Sequence, residues 1–105
     1  EEHHVPGPGG PIRVRRYVPF GAEPYGVGLY FHGGGWVLNS IDTHDDVGRR
    51  IAAAAGCQIV NVDYRLAPEH PYPAAVEDAY AVLEWVATEG PKLGLDPTAI
   101  AVAGD

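Results

Sequence analysis

The chain has 105 residues, 46% of them hydrophobic and 20% charged, with a net charge of −7. That length suits one small domain or a piece of a larger one, and the balance excludes a disordered or fibrous chain. The charge argues against a nucleic-acid backbone or an anionic membrane surface as partner, and no apolar run approaches the roughly eighteen residues of a spanning helix.

Residues 1–11 (EEHHVPGPGGP) read as a linker or frayed N-terminus. They lack the basic start and apolar middle of a signal peptide. Two adjacent histidines, His3 and His4, in such a segment are weak ground for a metal site, and no metal is expected. From Ile12 the chain alternates apolar and charged residues through Arg13, Val14 and Arg15, and Tyr17–Val18 closes a half-exposed strand stopped by Pro19. The solvent face of that strand accounts for Arg13 and Arg15 without an anion site.

Residues 20–26 (FGAEPYG) read as a loop, and Val27 to His32 as a buried strand. Asp42 or Thr43 can cap a helix whose first turn holds Asp45 and Asp46 near the positive end of its dipole. Val47, Ile51 and Ala55 share one of its faces, and Gly56 ends it. Cys57, the single cysteine, follows and reads as a buried, inert thiol. It cannot form an internal disulfide, so nothing demands an oxidising compartment, and a cytoplasmic location is the expectation.

Gln58 to Val62 is a short strand, and residues 64–73 (YRLAPEHPYP) hold three prolines and cannot be regular. A second helix starts at Ala74, with Val76, Ala79, Tyr80, Leu83, Val86 and Ala87 on its apolar face. Gly90-Pro91 ends it, Asp96-Pro97-Thr98 turns, and Ile100 to Ala103 is a last apolar strand. Strands alternating with helices predict an α/β fold with a mostly parallel sheet covered by helices. The last strand runs into Gly104-Asp105, where a strand-to-helix turn would begin, so residues 12–105 are expected to be the N-terminal part of a larger domain.

The stretch HGGGWV at 32–37 asks for an explanation, because glycine is entropically costly after a buried strand. A dinucleotide loop needs G-x-G-x-x-G opening directly into a helix, and the spacing here fails. A phosphate loop needs a Gly-Lys-Ser/Thr ending, and the only lysine is the distant Lys92. An oxyanion hole fits: glycine lets successive N–H groups aim at one point, and such donors stabilise a tetrahedral intermediate by about 3 kcal/mol each. A plain flexible loop is the remaining alternative.

The HGGG stretch, the segment DYRLAPEHPYPAA at 63–75 and the terminal AVAGD together resemble the hormone-sensitive-lipase-like (bacterial family IV) carboxylesterases of the α/β-hydrolase fold. Those proteins carry HGGG, then Tyr-Arg-Leu-Ala-Pro-Glu-His-Pro, then Gly-Asp-Ser-Ala-Gly-Gly at the nucleophile. The resemblance spans nearly everything from Ile12 onward. It implies that Gly33, Gly34 and Gly35 supply oxyanion donors, two of the three donating and Gly34 the safest choice. His32 would hold the loop without moving the catalytic proton. Trp36 would wall the substrate side, with a core role equally compatible. Asp105 would support the nucleophile turn. Tyr64, Arg65 and Glu69 would form a rigid polar brace beneath it, a reading stronger than an acid–base pair of Glu69 and His70. Glu77 and Asp78 fit capping roles, with Arg65 as a partner.

The sequence departs from the family pattern at Asn39, where many relatives have glycine; Asn tolerates the left-handed backbone better than most residues. The only serine, Ser40, is not on an elbow, and none of His3, His4, His32, His44 or His70 stands where the family's general base lies. The resemblance thus implies a serine esterase or lipase acting through an acyl-enzyme on a small ester, with no cofactor. These residues alone would lack the triad and would need the remainder of the same domain; a homodimer is allowed but not required. A catalytically inactive, receptor-like ligand-binding protein of the same fold, or an inactive fragment, is the alternative.

Overall fold

In the computed structural model, which describes residues 1–21 and 25–105, one mixed five-stranded sheet carries a helix on each face. The strands are β1 (Glu2–Val5), β2 (Ile12–Tyr17), β3 (Tyr25–Phe31), β4 (Gln58–Val62) and β5 (Leu95–Gly104). The helices are α1 (Asp45–Ala55) and α2 (Ala74–Glu89), the latter running into a short 3-10 turn at Gly90–Leu93. Spatial order is β1-β2-β4-β3-β5.

The predicted mostly parallel sheet is corrected to a mixed one. β3 pairs parallel with β4 and with β5, whereas β2 pairs antiparallel with both β1 and β4. One of those antiparallel pairings comes from residues 1–11, expected as linker or frayed terminus. Glu2–Val5 forms β1, with Val5 opposite Ile12, and the Pro/Gly stretch between them closes a hairpin through Gly10 N–H to Gly7 O at 3.2 Å. Val5 is 1% exposed, so the segment is held by burial as well as by its ladder. The predicted loop at 20–26 lies partly outside the described residues, and its last two belong to β3.

Side-chain alternation sends one set of residues to each helix. Val27 and Leu29 of β3 and Val60 and Val62 of β4 pack with Val82 and Val86 of α2. Tyr30 and Ile59 face α1 and meet Ala52. Cys57 packs half-buried beside that smaller cluster.

The helix faces differ from those predicted. In α1 the buried residues are Gly48 and Ala52, and Val47 is exposed. Its cap is also displaced: the Ser40 hydroxyl accepts from the N–H groups of Asp42 and Thr43 one turn before the helix. In α2 the buried line is Ala74, Asp78, Val82 and Val86, while Val76 and Tyr80 stay exposed. Apolar residues surround this helix, so periodicity does not select a face. The buried line passes through an acidic residue because Arg65 neutralises it. Arg65 N–H donates to Asp78 at 2.9 Å and its guanidinium at 2.9 Å.

The central position of Val60, fully buried beneath α2, makes it a sensitive probe of this packing. Val60→Ala is expected to lower unfolding free energy by about 2 kcal/mol through lost contacts and the cavity left behind. Val47→Ala, on the face that periodicity alone would bury, is expected to cost under about 0.5 kcal/mol. Urea midpoints measured at unchanged slope compare the two; equal losses would contradict the observed face.

Candidate functional site

β3 and β5 run parallel with Phe31 opposite Gly104, so His32 and Asp105 leave the sheet side by side at its carboxyl edge. That edge is where α/β sheets place ligands. The approach is tight: a Cβ on Gly33 would lie 2.8 Å from the Asp105 carbonyl oxygen.

The Asp105 carboxylate organises the junction. Its Oδ1 accepts the Tyr30 hydroxyl at 2.8 Å and the Gly33 N–H at 2.8 Å. Its Oδ2 lies 3.3 Å from His44 Nε2. The Tyr30 hydroxyl, the Gly33 N–H and then His44 hold the carboxyl below the usual range. Burial first, and the bond to Asp105 second, push Tyr30 up to about 12. Burial, with the Asp105 charge behind it, also raises Tyr64.

Gly33's N–H is therefore occupied. Among the described residues, no acceptor meets the N–H groups of Gly34 or Gly35. The loop there is set by backbone that few residues adopt. Gly34 has φ 133°, and a Cβ on it would stand 2.3 Å from the Leu38 carbonyl oxygen, so only glycine fits. The Gly34 carbonyl accepts from Val37 and Leu38, at 3.2 and 3.0 Å, which closes the turn. Asn39 adopts φ 73°, the left-handed conformation expected of it, and its Nδ2 donates to Gly33 O at 3.0 Å. The Trp36 carbonyl accepts Ala67 N–H at 2.8 Å, joining the glycine loop to the proline-rich segment.

His32 is 2% exposed. Its Nδ1 lies 3.0 Å from Gly33 O, a carbonyl that can only accept, so this nitrogen carries the proton. The ring stacks on Tyr64 at 4.5 Å, and the Tyr64 hydroxyl donates to the His32 carbonyl. Tyr64 thus lies against the loop, while Arg65 pairs with Asp78 and donates to the Ala74 carbonyl at the start of α2. Glu69, expected beside them, is exposed and, among the described residues, makes no hydrogen bond or ion pair. The acidic residue that the fold brings to Arg65 is Asp78 and not Glu69. His70 is likewise exposed and unpaired with Glu69.

A cavity of about 300 Å³ opens beside this loop, lined by Gly33, Gly35, Trp36, Ala75, Val76 and Asp105. Trp36 is 64% exposed and also borders a second, smaller cavity with Tyr72. Tyr30 and His44 belong to the junction although sequence patterns assign them no role. Tyr30 reads as one more apolar strand residue, and His44 as a polar residue at a helix start. The three arginines of β2 are satisfied internally. Arg13 reaches Asp42 and Asp63, Arg15 reaches Glu2, Asp42 and Asp45, and the buried Arg16 donates to Gln58 at 2.9 Å. His3, in β1, lies against Trp85 with ring centres 5.6 Å apart. Among the described residues, no helix is long and apolar enough to cross a membrane.

The Tyr30–Asp105 bond requires a protonated phenol and an ionised carboxyl. Tyr30's contribution is complete below its ordinary value of 10 and is lost as pH rises toward about 12. Asp105's is complete above the ordinary carboxyl range and is lost as pH falls through its lowered value. Subtracting the tyrosinate absorbance titration of Tyr30→Phe from that of the unaltered protein is expected to isolate one phenol ionising near 12. A difference curve centred at the ordinary value would contradict the bond.

The family described as alpha/beta hydrolase fold matches residues 28–105. The chain is similar to the esterase LipI of Mycobacterium tuberculosis, 53% identical over 104 residues, covering 96% of this chain and 32% of that protein. It is 39% identical over 94 residues to an arylesterase of Saccharolobus solfataricus, covering 90% of this chain and 30% of that one. Among solved structures, an esterase of Pyrobaculum calidifontis superposes with a TM-score of 0.97 at 56% identity, covering 100% of this chain and 34% of its own. The chain therefore spans about a third of the length of the relatives it matches.

Proposed function

The chain belongs to the α/β-hydrolase fold, as a hormone-sensitive-lipase-like member, and from that we propose that it supplies the oxyanion-binding half of a serine carboxylesterase. The observation that carries this reading is the division of labour among three glycine N–H groups. Gly33's is spent on Asp105, while among the described residues those of Gly34 and Gly35 are unspent, and Gly35 lines a cavity walled by Trp36.

An ester carbonyl seated in that cavity would place its oxygen at the two unspent donors. As a serine attacks, negative charge develops on that oxygen, and fixed dipoles stabilise it with little reorganisation. The attacking serine, the histidine that takes its proton and the acid that orients the histidine would come from residues outside these 105. The C–O bond to the alcohol then breaks, the alcohol leaves with the proton that the histidine took from the serine, and water hydrolyses the resulting acyl-enzyme to the carboxylic acid and free serine. The apolar cavity favours a small, uncharged ester, and no cofactor enters the reaction. His32 stays with the loop: its protonated nitrogen is committed to Gly33 O. The rest of the same hydrolase domain would pair with the exposed edge of β5 and cover residues such as Val102, which is 66% exposed.

Full-length protein carrying this segment is expected to hydrolyse p-nitrophenyl butyrate. Gly34→Ala, which drives a methyl group into the Leu38 carbonyl and displaces a donor, is expected to lower kcat about 100-fold. A full-length protein that binds short esters without turning them over would favour the receptor-like alternative.

A further inference from the structure

We propose that His44 is a positioning residue for the glycine loop, acting through Asp105. This rests on the reading above, in which the Gly34 and Gly35 N–H groups meet the substrate oxygen.

Asp105 has two carboxylate oxygens and they are held differently. Oδ1 has two donors, Tyr30 and Gly33. For Oδ2, among the described residues, the one partner is His44 Nε2 at 3.3 Å. Rotation of the carboxylate about its own axis would carry Oδ1 away from Gly33. The two bonds on Oδ1 resist that rotation from one side, and His44 adds the restraint on the second oxygen. The loop that begins at Gly33 is thereby fixed at its first residue, and the two donors that follow inherit that fixed position.

His44 is itself well anchored. Its carbonyl accepts from Gly48 N–H and from Asn61 Nδ2, both at 3.2 Å, which ties it to α1 and to β4. Its side chain is 14% exposed, and its ring lies 5.6 Å from that of His32 and 6.4 Å from that of Tyr30.

The far nitrogen explains how the contact persists in either charge state. His44 Nδ1 lies 3.0 Å from Thr43 Oγ1, and that hydroxyl also lies 2.9 Å from the Ser40 carbonyl. When the imidazole is neutral, the hydroxyl donates to Nδ1, which leaves the ring proton on Nε2 facing Asp105. When the ring is protonated, Nδ1 donates to the hydroxyl, which turns its own proton to Ser40 O. Nε2–H points at Asp105 in both states. The titratable groups around the ring are Asp105 just past β5, Tyr30 and His32 from β3 and its end, and Asp45 next in the chain. Asp45 is committed to Arg15, Arg49 and Tyr17.

The test is steady-state hydrolysis of p-nitrophenyl butyrate by the full-length protein. His44→Phe keeps a ring but cannot donate, and is expected to lower kcat about tenfold while KM changes less than about twofold. His44→Gln, whose side-chain amide can still donate to Asp105, is expected to recover most of the lost kcat. If the phenylalanine variant does not fold, His44→Ala takes its place with the same expectation. An active wild type with an unimpaired His44→Phe, or a His44→Gln as impaired as His44→Phe, overturns this inference alone. A wild-type protein inactive on the ester overturns the functional reading beneath it.

Discussion

Everything at the mouth of the cavity depends on the parallel pairing of β3 with β5. Phe31 stands opposite Gly104, and so the residues that follow, His32 and Asp105, emerge at one level. A slip of one residue would turn every side chain of the strand to the other face. With the register as it is, one carboxylate reaches a backbone N–H of the glycine loop, a phenol from β3 and an imidazole from the segment before α1. Groups from residues 30, 33 and 44 are thus joined at one carboxylate that lies 61 to 75 positions further along the chain.

The supports of this junction are of unequal kinds. Below it, packing dominates: Tyr64 is buried, stacks on His32 and holds the His32 carbonyl. To one side, charge dominates. Arg13 and Arg15 of β2 gather Asp42, Asp45 and Asp63, the first two of which flank the segment that carries His44. Exposed ion pairs of this kind contribute little individually, but a network of them restricts where a loop can sit. Burial gives the scaffold its stability, and the charged network orients a segment on it.

A site that stabilises a developing charge needs donors that are fixed and unspent. Those two demands conflict in an ordinary loop, where free N–H groups are free because the backbone moves. Here the conflict is resolved by dividing the tasks. Gly33 spends its N–H on Asp105, the Gly34 carbonyl closes the turn with Val37 and Leu38, and Asn39 holds the Gly33 carbonyl. The donors of Gly34 and Gly35 are then fixed by bonds that they do not themselves make.

The sequence by itself determined the strand positions of β2 and β4, the two helices and the glycine loop, because each is written in local patterns: alternation, helical periodicity, breakers and a triple glycine. It also carried the family, since three motifs in a fixed order are far more specific than any one. It did not determine which face of α2 is buried, because the alanine-rich helix is apolar nearly all round and the buried line runs through Asp78. It left β1 invisible, because a strand of four residues beside a Pro/Gly turn has too short a pattern to read. The choice of Asp78 over Glu77 and Glu69 as the partner of Arg65 was decided only in three dimensions, as was the convergence of Tyr30, His44 and Gly33 on Asp105. Residue pairs separated by 61 to 75 positions meet there through sheet register, and no local periodicity encodes such a meeting.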